Sequence, residues 1–270
     1  MAKFDYFSVS TYAHPEDLIR RFLVDFDLVS ATQINPQNGF TKAFKIHRGE
    51  VTIAKVSWGN HDKLTVNIRA SGEHSIAVEK FVRNYLLEIG EDFWATRIDS
   101  CEDLRRAGGF DQLAAQAIAF AKRKNLKISQ VGDWERGRER TLYIGSRTSE
   151  VHIRIYEKGQ QLGLDPDWFR YEVEVKPSAK NRERRLQVAG MSPGQLLFLG
   201  ISGKLLNSIG WDHIEAIRLP HDYNETTAEK ARAALLKQYG PTLRKWAAEE
   251  GGFDKLATTL EAQLCPELLE

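Results

Sequence analysis

Cysteine is nearly missing: Cys101 and Cys265 are the only two in 270 residues. That is too few for a disulfide framework or a cysteine-rich zinc site, so both read as reduced thiols of a cytoplasmic protein. Long apolar runs are missing too. No window approaches the ~18 consecutive apolar residues of a membrane span, and no membrane partner is expected. The start, Met1-Ala-Lys-Phe-Asp-Tyr6, lacks the apolar stretch of a secretory signal and reads as a strand. An excess of either charge is absent: the net charge is +1 and the sequence pI is near 7.8. Bulk charge therefore does not announce a nucleic-acid partner.

What is present is 42% hydrophobic and 28% charged residues, a soluble globular composition with enough apolar side chains for a real core. The length suits one large domain or two ordinary ones. Charge is segregated along the chain. Lys122, Arg123, Lys124, Lys127, Arg136, Arg138, Arg140 and Arg147 face only Asp133, Glu135 and Glu139 in the same stretch. A second cluster holds Lys176, Lys180, Arg182, Arg184 and Arg185. Either cluster alone is ordinary solvated surface; flanking one functional face, they become phosphate contacts.

The order of elements repeats. Phe4 to Thr11 is a strand, Pro15 to Phe26 a helix, Phe40 to Trp58 a hairpin turning at Arg48-Gly49-Glu50, Leu64 to Ala70 a strand and Ser75 to Ile89 a helix ending at Gly90. The second half has a strand at Trp94 to Ser100, a helix at Phe110 to Arg123, a hairpin at Thr141 to Lys158, a strand at Phe169 to Lys176 and helix from Pro193 to Ile209. No residue-level repeat accompanies this order. The expectation is an α+β fold with two similar strand-helix-hairpin-strand-helix halves, 1–90 and 91–209. They form two sheets or one larger sheet, with helices on the apolar face and the other face open. Residues 210–270 form a C-terminal helical region. Thr226 to Glu229 makes a capping box, Gly240-Pro241 breaks the helix, and Gly251-Gly252 ends the next. Such helices either cap the sheet or include a DNA-reading helix-turn-helix.

Strand alternation puts chemistry on one face. Val151, Ile153 and Ile155 point one way, and His152, Arg154, Tyr156 and Lys158 the other. In the next strand Arg170, Glu172, Glu174 and Lys176 alternate with Phe169, Tyr171, Val173 and Val175. Asp99 shares a side with Glu172 and Glu174 if Ile98 faces the core. Carboxylates on strands ~4.8 Å apart can converge on one cation, and oxygen-only ligation suits Mg²⁺ or Mn²⁺. Asp103, about one helical turn further, is a fourth candidate. Each element also has a plainer reading: cross-strand ion pairs for Arg154, Lys158, Glu172 and Glu174, a cap for Asp99, and a sheet-surface tyrosine for Tyr156, as for Tyr143 and Tyr171. Their combination on one face favours the functional reading.

Four strings, Arg97-Ile-Asp99-Ser-Cys-Glu-Asp103, Thr141-Leu-Tyr-Ile-Gly-Ser-Arg147, Ile153-Arg-Ile-Tyr156-Glu-Lys158-Gly159 and Arg170-Tyr-Glu172-Val-Glu174, resemble those of the replication initiation factors of the Rep_trans type. That family comprises rolling-circle initiators of plasmids and phages and NicK-like DNA relaxases. The resemblance is strongest from Trp94 to Lys176 and looser from Phe4 to Gly90. It implies a DNA nickase with a tyrosine nucleophile and a divalent metal. Tyr156 matches the family's tyrosine, although Tyr143 lies on the paired arm of the same hairpin; Asp99, Glu172 and Glu174 match its acidic positions. His14, His47, His61, His74, His152, His213 and His221 include no His-x-His pair, which argues against the tyrosine nickases that bind metal through paired histidines.

The function this implies is initiation of rolling-circle replication. The chain binds origin DNA, duplex but locally melted or extruded as a hairpin, and the metal polarises the scissile phosphate. Arg154 and Lys158 stabilise its charge, and Tyr156 cuts one strand, leaving a phosphotyrosyl link and a 3′-hydroxyl primer. The first half and the basic residues Arg147, Lys176, Lys180, Arg182, Arg184 and Arg185 hold the DNA. A helicase and a second copy of the chain are further candidate partners. Two rivals use the same scaffold: a DNA-binding regulator that does not cleave, and a metal-dependent phosphodiesterase that uses water.

Overall fold

The computed structural model describes residues 1–59, 65–211 and 227–264; Leu64, Thr226 and Cys265 lie outside the described residues. The first half runs β1 (Lys3–Thr11), α1 (Pro15–Asp25), β2 (Ser30–Gln33), β3 (Lys42–Arg48), β4 (Val51–Trp58), β5 (Val66–Ser71) and α2 (His74–Glu88). The second runs β6 (Phe93–Arg105), α3 (Gly109–Arg123), β7 (Ile128–Asp133), β8 (Arg138–Ile144), β9 (Val151–Tyr156), α4 (Lys158–Gln161) and β10 (Trp168–Val175). After it come α5 (Arg182–Ala189), α6 (Pro193–Leu197) and α7 (Gly200–Ser208). Residues Met1–Arg218 make one compact unit and Leu219–Glu270 another.

All ten strands of the described residues join one antiparallel sheet in the order β2-β3-β4-β5-β1-β6-β10-β9-β8-β7. The order is a palindrome about the β1·β6 junction. Outward from it, each half places its first strand, its last strand, its hairpin and then a short strand at the edge. The duplicated element order is therefore a duplicated topology, and the two halves share one sheet. Antiparallel pairing of the two first strands satisfies the backbone groups each half would otherwise expose as an edge.

The apolar positions of the alternation make the core. Phe7, Ile46, Val56, Ile68, Ile98, Leu142, Ile153 and Val173 are fully buried. Ser100 donates to the Pro193 carbonyl at 2.7 Å, and the Tyr171 hydroxyl lies 2.7 Å from the Ser202 hydroxyl, so α6 and α7 cover this face. Tyr171 is thus a core tyrosine, not a surface one; its apolar-face position outweighs its hydroxyl once Ser202 satisfies it. On the first half, Phe22 of α1 and Phe81 of α2 bring their rings to 3.9 Å.

Several elements differ from expectation. The edge strands β2 and β7 escape the alternation test because Ser-Ala-Thr-Gln and Ile-Ser-Gln-Val-Gly-Asp carry no period-two apolar pattern. Partners β3 and β8 hold them through backbone pairing. β6 continues to Arg105, because β10 pairs with it along its length, down to Trp168 opposite Arg105. Asp103 therefore sits on a strand, two rungs from Asp99, and not one helical turn away.

In the second unit, α8 (Thr227–Glu250) passes through Pro241 where a break was expected. The proline removes one backbone donor, but Gly240 has no Cβ to clash with its ring, so the residue before it can stay helical. Gly251 and Gly252, at φ 88° and 135°, end the helix before α9 (Phe253–Leu264).

The glycine ending the Tyr156-Glu-Lys-Gly159 string has a steric reason. A Cβ at Gly159 would lie 1.6 Å from the Asp165 carbonyl oxygen and 3.1 Å from the Trp168 Cβ, so the turn after β9 closes only around glycine. Gly159→Ala is expected to cost roughly 2–3 kcal/mol and lower the thermal midpoint by roughly 5–10 °C in a melting experiment.

Candidate active site

Register builds the site. Three rungs cross β6, β10 and β9 on the polar face: Asp99–Glu174–His152, Cys101–Glu172–Arg154 and Asp103–Arg170–Tyr156. β8 extends the last two with Tyr143 and Thr141. The expected nucleophile and the three expected acids thus occupy adjacent positions on one face.

The Tyr156 hydroxyl donates to Glu172 Oε2 at 3.1 Å, and Arg154 ion-pairs with the other oxygen of the same carboxylate. The Arg154 guanidinium lies 5.0 Å and the Lys158 ammonium 5.7 Å from the centre of the Tyr156 ring. Asp99 and Glu172 are each only 1% exposed. Arg97 grips Asp99 with two hydrogen bonds, at 2.8 and 2.5 Å, and reaches Glu174 at 2.8 Å. Glu174 also takes Lys176 at 2.6 Å, with His152 Nδ1 at 4.0 Å.

A second network supports this one from below. Arg170, 5% exposed, donates to both oxygens of Asp103 (2.6 and 3.0 Å) and to Asp5 (2.6 Å). Lys3 and the Trp168 indole complete the Asp103 shell at 2.7 and 3.0 Å.

Burial dominates the electrostatics. It pushes Glu172 up to about 7; Arg154 opposes the rise, and the charges of Asp5 and Asp99 add to it. Burial also raises Asp99, against the hydrogen bond and charge of Arg97. The Tyr156 phenol is driven well above its ordinary value by burial and then by the Glu172 charge. Burial depresses His152 and lifts the Cys101 thiol to about 12. Glu174 goes the other way: burial alone would raise it, but the Lys176 hydrogen bond and the Arg97 charge hold it below the usual range. The same balance, set by Arg170, Lys3 and Trp168, lowers Asp103.

A carboxylate whose folded value is raised favours folding while protonated and opposes it once ionised. Stability linked to Glu172 is thus present in full below its unfolded value near 4.5 and lost as pH rises through about 7. The loss is on the order of 3 kcal/mol. Glu172→Gln should flatten that decline in urea unfolding measured at pH 5 and pH 8.

The acids are oxygen donors that suit Mg²⁺ or Mn²⁺. Among the described residues, however, no three His, Cys, Asp or Glu side chains are gathered so as to hold a metal. Arg97 stands between Asp99 and Glu174, and Arg154 holds Glu172. A cation at these oxygens would compete with both guanidinium groups.

The basic candidates divide. Arg147 and Lys180 are exposed, and Arg182 is exposed beside Trp94, 4.6 Å from its ring centre. Lys176 is engaged with Glu174. Arg184 is held by Glu150 at 2.6 Å, and Arg185 donates to the Ala95 carbonyl at 2.9 Å.

Arg97 and Arg170 organise the site without having been singled out as its candidates, although each stands two residues before an expected acid, Asp99 and Glu172, on the same strand face. Asp5 carried no such signal. A bulge between Phe4 and Tyr6 turns it toward Arg170, whereas regular alternation would place it beside Phe7.

Residues 109–185 match the family model described as replication initiation factor. The matched stretch holds Tyr156, Glu172 and Glu174 and begins after Asp99. Among solved structures, the fold is similar to the rolling circle replication initiator protein from Geobacillus stearothermophilus, with a TM-score of 0.52 and 16% identity. That match covers 83% of this chain and 89% of the other. The curated proteins return no match.

Proposed function

We propose, from the replication initiation factor match and the shared initiator fold, that this protein initiates rolling-circle replication by nicking origin DNA through Tyr156. The observation carrying the proposal is the hydrogen bond from the Tyr156 hydroxyl to Glu172, beside Arg154, on the polar sheet face. A phenol is a weak nucleophile at neutral pH and needs a base in contact with its proton. Glu172, raised to about 7, is a stronger base than an ordinary carboxylate.

In the proposed step the Tyr156 proton passes to Glu172 as the phenolic oxygen bonds to phosphorus. The bond from phosphorus to the 3′-oxygen breaks, and that oxygen takes up a proton to become a 3′-hydroxyl. The 5′-phosphate stays on the protein as a phosphotyrosyl ester, which conserves the bond for later rejoining. Arg154 offers a fork and Lys158 a point charge to the phosphate oxygens. Mg²⁺ or Mn²⁺ belongs to the same proposal. Asp99, Glu172 and Glu174 would hold it only in place of their contacts with Arg97 and Arg154, and when bound it would supply positive charge against the scissile phosphate. Exposed Arg147, Lys180 and Arg182 would take flanking phosphates of melted or extruded origin DNA.

The test incubates the protein with a supercoiled plasmid bearing the origin, with and without Mn²⁺ or Mg²⁺. Nicking together with a denaturation-resistant protein–DNA adduct is the expected result. Nicking without an adduct would establish the water-using phosphodiesterase instead, and binding without nicking the regulator.

A further inference from the structure

The first half of the sheet presents its own polar face, and its charges are arranged differently. One rung crosses six strands: Thr32 of β2 lies opposite Lys45 of β3, Lys45 opposite Lys55 of β4, and Lys55 opposite Arg69 of β5. Arg69 then lies opposite Ser8 of β1, and Ser8 opposite Arg97 of β6. Three cations therefore stand side by side on adjacent strands, in direct cross-strand positions where like charges repel. The line ends on Arg97, which holds Asp99 and Glu174. At ~4.8 Å per strand, Lys45 to Arg69 spans ~10 Å, and Arg97 lies ~10 Å beyond.

Counter-charge separates this rung from the second half. There Arg97, Arg154, Arg170 and Lys176 are each matched by carboxylates. Among the described residues, Lys45, Lys55 and Arg69 make no ion pair, and Arg69 donates only to the neutral amide of Gln37 at 3.1 Å. Lys55 and Arg69 line a cleft of about 190 Å³ with Tyr6, Gln37, Thr52 and Ser71, so the charge is concentrated in a concavity and not dispersed into solvent. All three cations are half-buried. A row of unmatched, mutually repelling cations is stabilised by an anion that repeats along a line.

We infer that the Lys45–Lys55–Arg69 rung is a track for one DNA strand, whose phosphates cross the first half of the sheet at right angles to the strands and reach the tyrosine site past Arg97. This deepens the nicking proposal and rests on it for the identity of the polyanion. A single strand is the favoured occupant because the row is one residue wide. A duplex carries two backbones separated by grooves ~6 and ~12 Å wide, and only one could follow it. Positively charged grooves that follow one backbone are the usual means of holding single strands.

Fluorescence anisotropy with a labelled oligothymidylate, and with a duplex of equal length, tests the track. Lys45→Gln/Lys55→Gln/Arg69→Gln is compared with the unmodified chain and with a charge-matched variant lacking Arg20, Arg21 and Lys80 on α1 and α2. The rung variant is expected to bind the single strand at least ~10-fold more weakly. Its dependence of log affinity on log salt should be shallower by ~2, at ~0.7 per lost phosphate contact. The charge-matched variant should bind as the unmodified chain does. Because the rung residues repel one another, their removal should leave the thermal midpoint unchanged or higher, so misfolding does not mimic the result. Equal losses in both variants, no loss in the rung variant, or a loss confined to the duplex would each overturn the track. Binding is read without cleavage. A flat binding result therefore defeats the track alone, whereas absence of an adduct in the plasmid assay defeats the nicking proposal alone.

Discussion

Tyr156→Phe is expected to abolish the covalent protein–DNA adduct of the proposed reaction and to lower nicking by at least ~10³-fold, the scale of losing a nucleophile. The variant keeps the ring, its burial and its contacts with Arg154 and Lys158, and loses only the hydroxyl that donates to Glu172. Glu172 retains Arg154, so the structural cost is one hydrogen bond, about 1 kcal/mol. Tyr143→Phe is the matched control. Tyr143 joins the site by stacking on His152 at 5.5 Å, and Phe preserves that contact. Adduct formation on supercoiled origin plasmid should survive Tyr143→Phe and vanish with Tyr156→Phe. The reverse pattern would transfer the nucleophile to Tyr143.

The largest loss of stability is expected from Arg170→Met. The guanidinium is almost fully buried and joins Asp103 of β6 to Asp5 of β1 across three strands of the sheet centre. Methionine fills similar space but leaves both carboxylates without their main partner, at a cost of about 3 kcal/mol. For a chain of this size the thermal midpoint should fall by roughly 6–12 °C. Asp103 also sets the sign of the acid response. Its folded value is depressed, so its contribution is present above the unfolded value near 3.8 and lost as pH falls below it. The variant should therefore lose most stability at neutral pH and differ less from the unmodified protein in strong acid. An unchanged midpoint at pH 7 would refute the role given to Arg170.

Much of the site could be read from the chain because β-strands have a fixed period. Once Ile153, Val173 and Ile98 were assigned to the core, Tyr156, Arg154, Glu172, Glu174 and Asp99 had to share the other face, and the structure places them there. Period alone does not report pairing partners. Nothing local states that Arg97 would reach across to Glu174, or that Arg154 would pair with Glu172. The same limit hid β2 and β7, whose membership in the sheet comes from their neighbours.

The order of the main elements, the doubled half and the face carrying Tyr156, Arg154 and the three acids were decided by the sequence itself. They follow from apolar spacing, turn residues and alternation, which act within a few positions. Tertiary structure alone decided that the halves fuse through β1 and β6, that a bulge turns Asp5 toward Arg170, and that Lys45, Lys55 and Arg69 fall on one rung. Those outcomes depend on register between strands distant in the chain, set by packing of the whole sheet and not by any single segment.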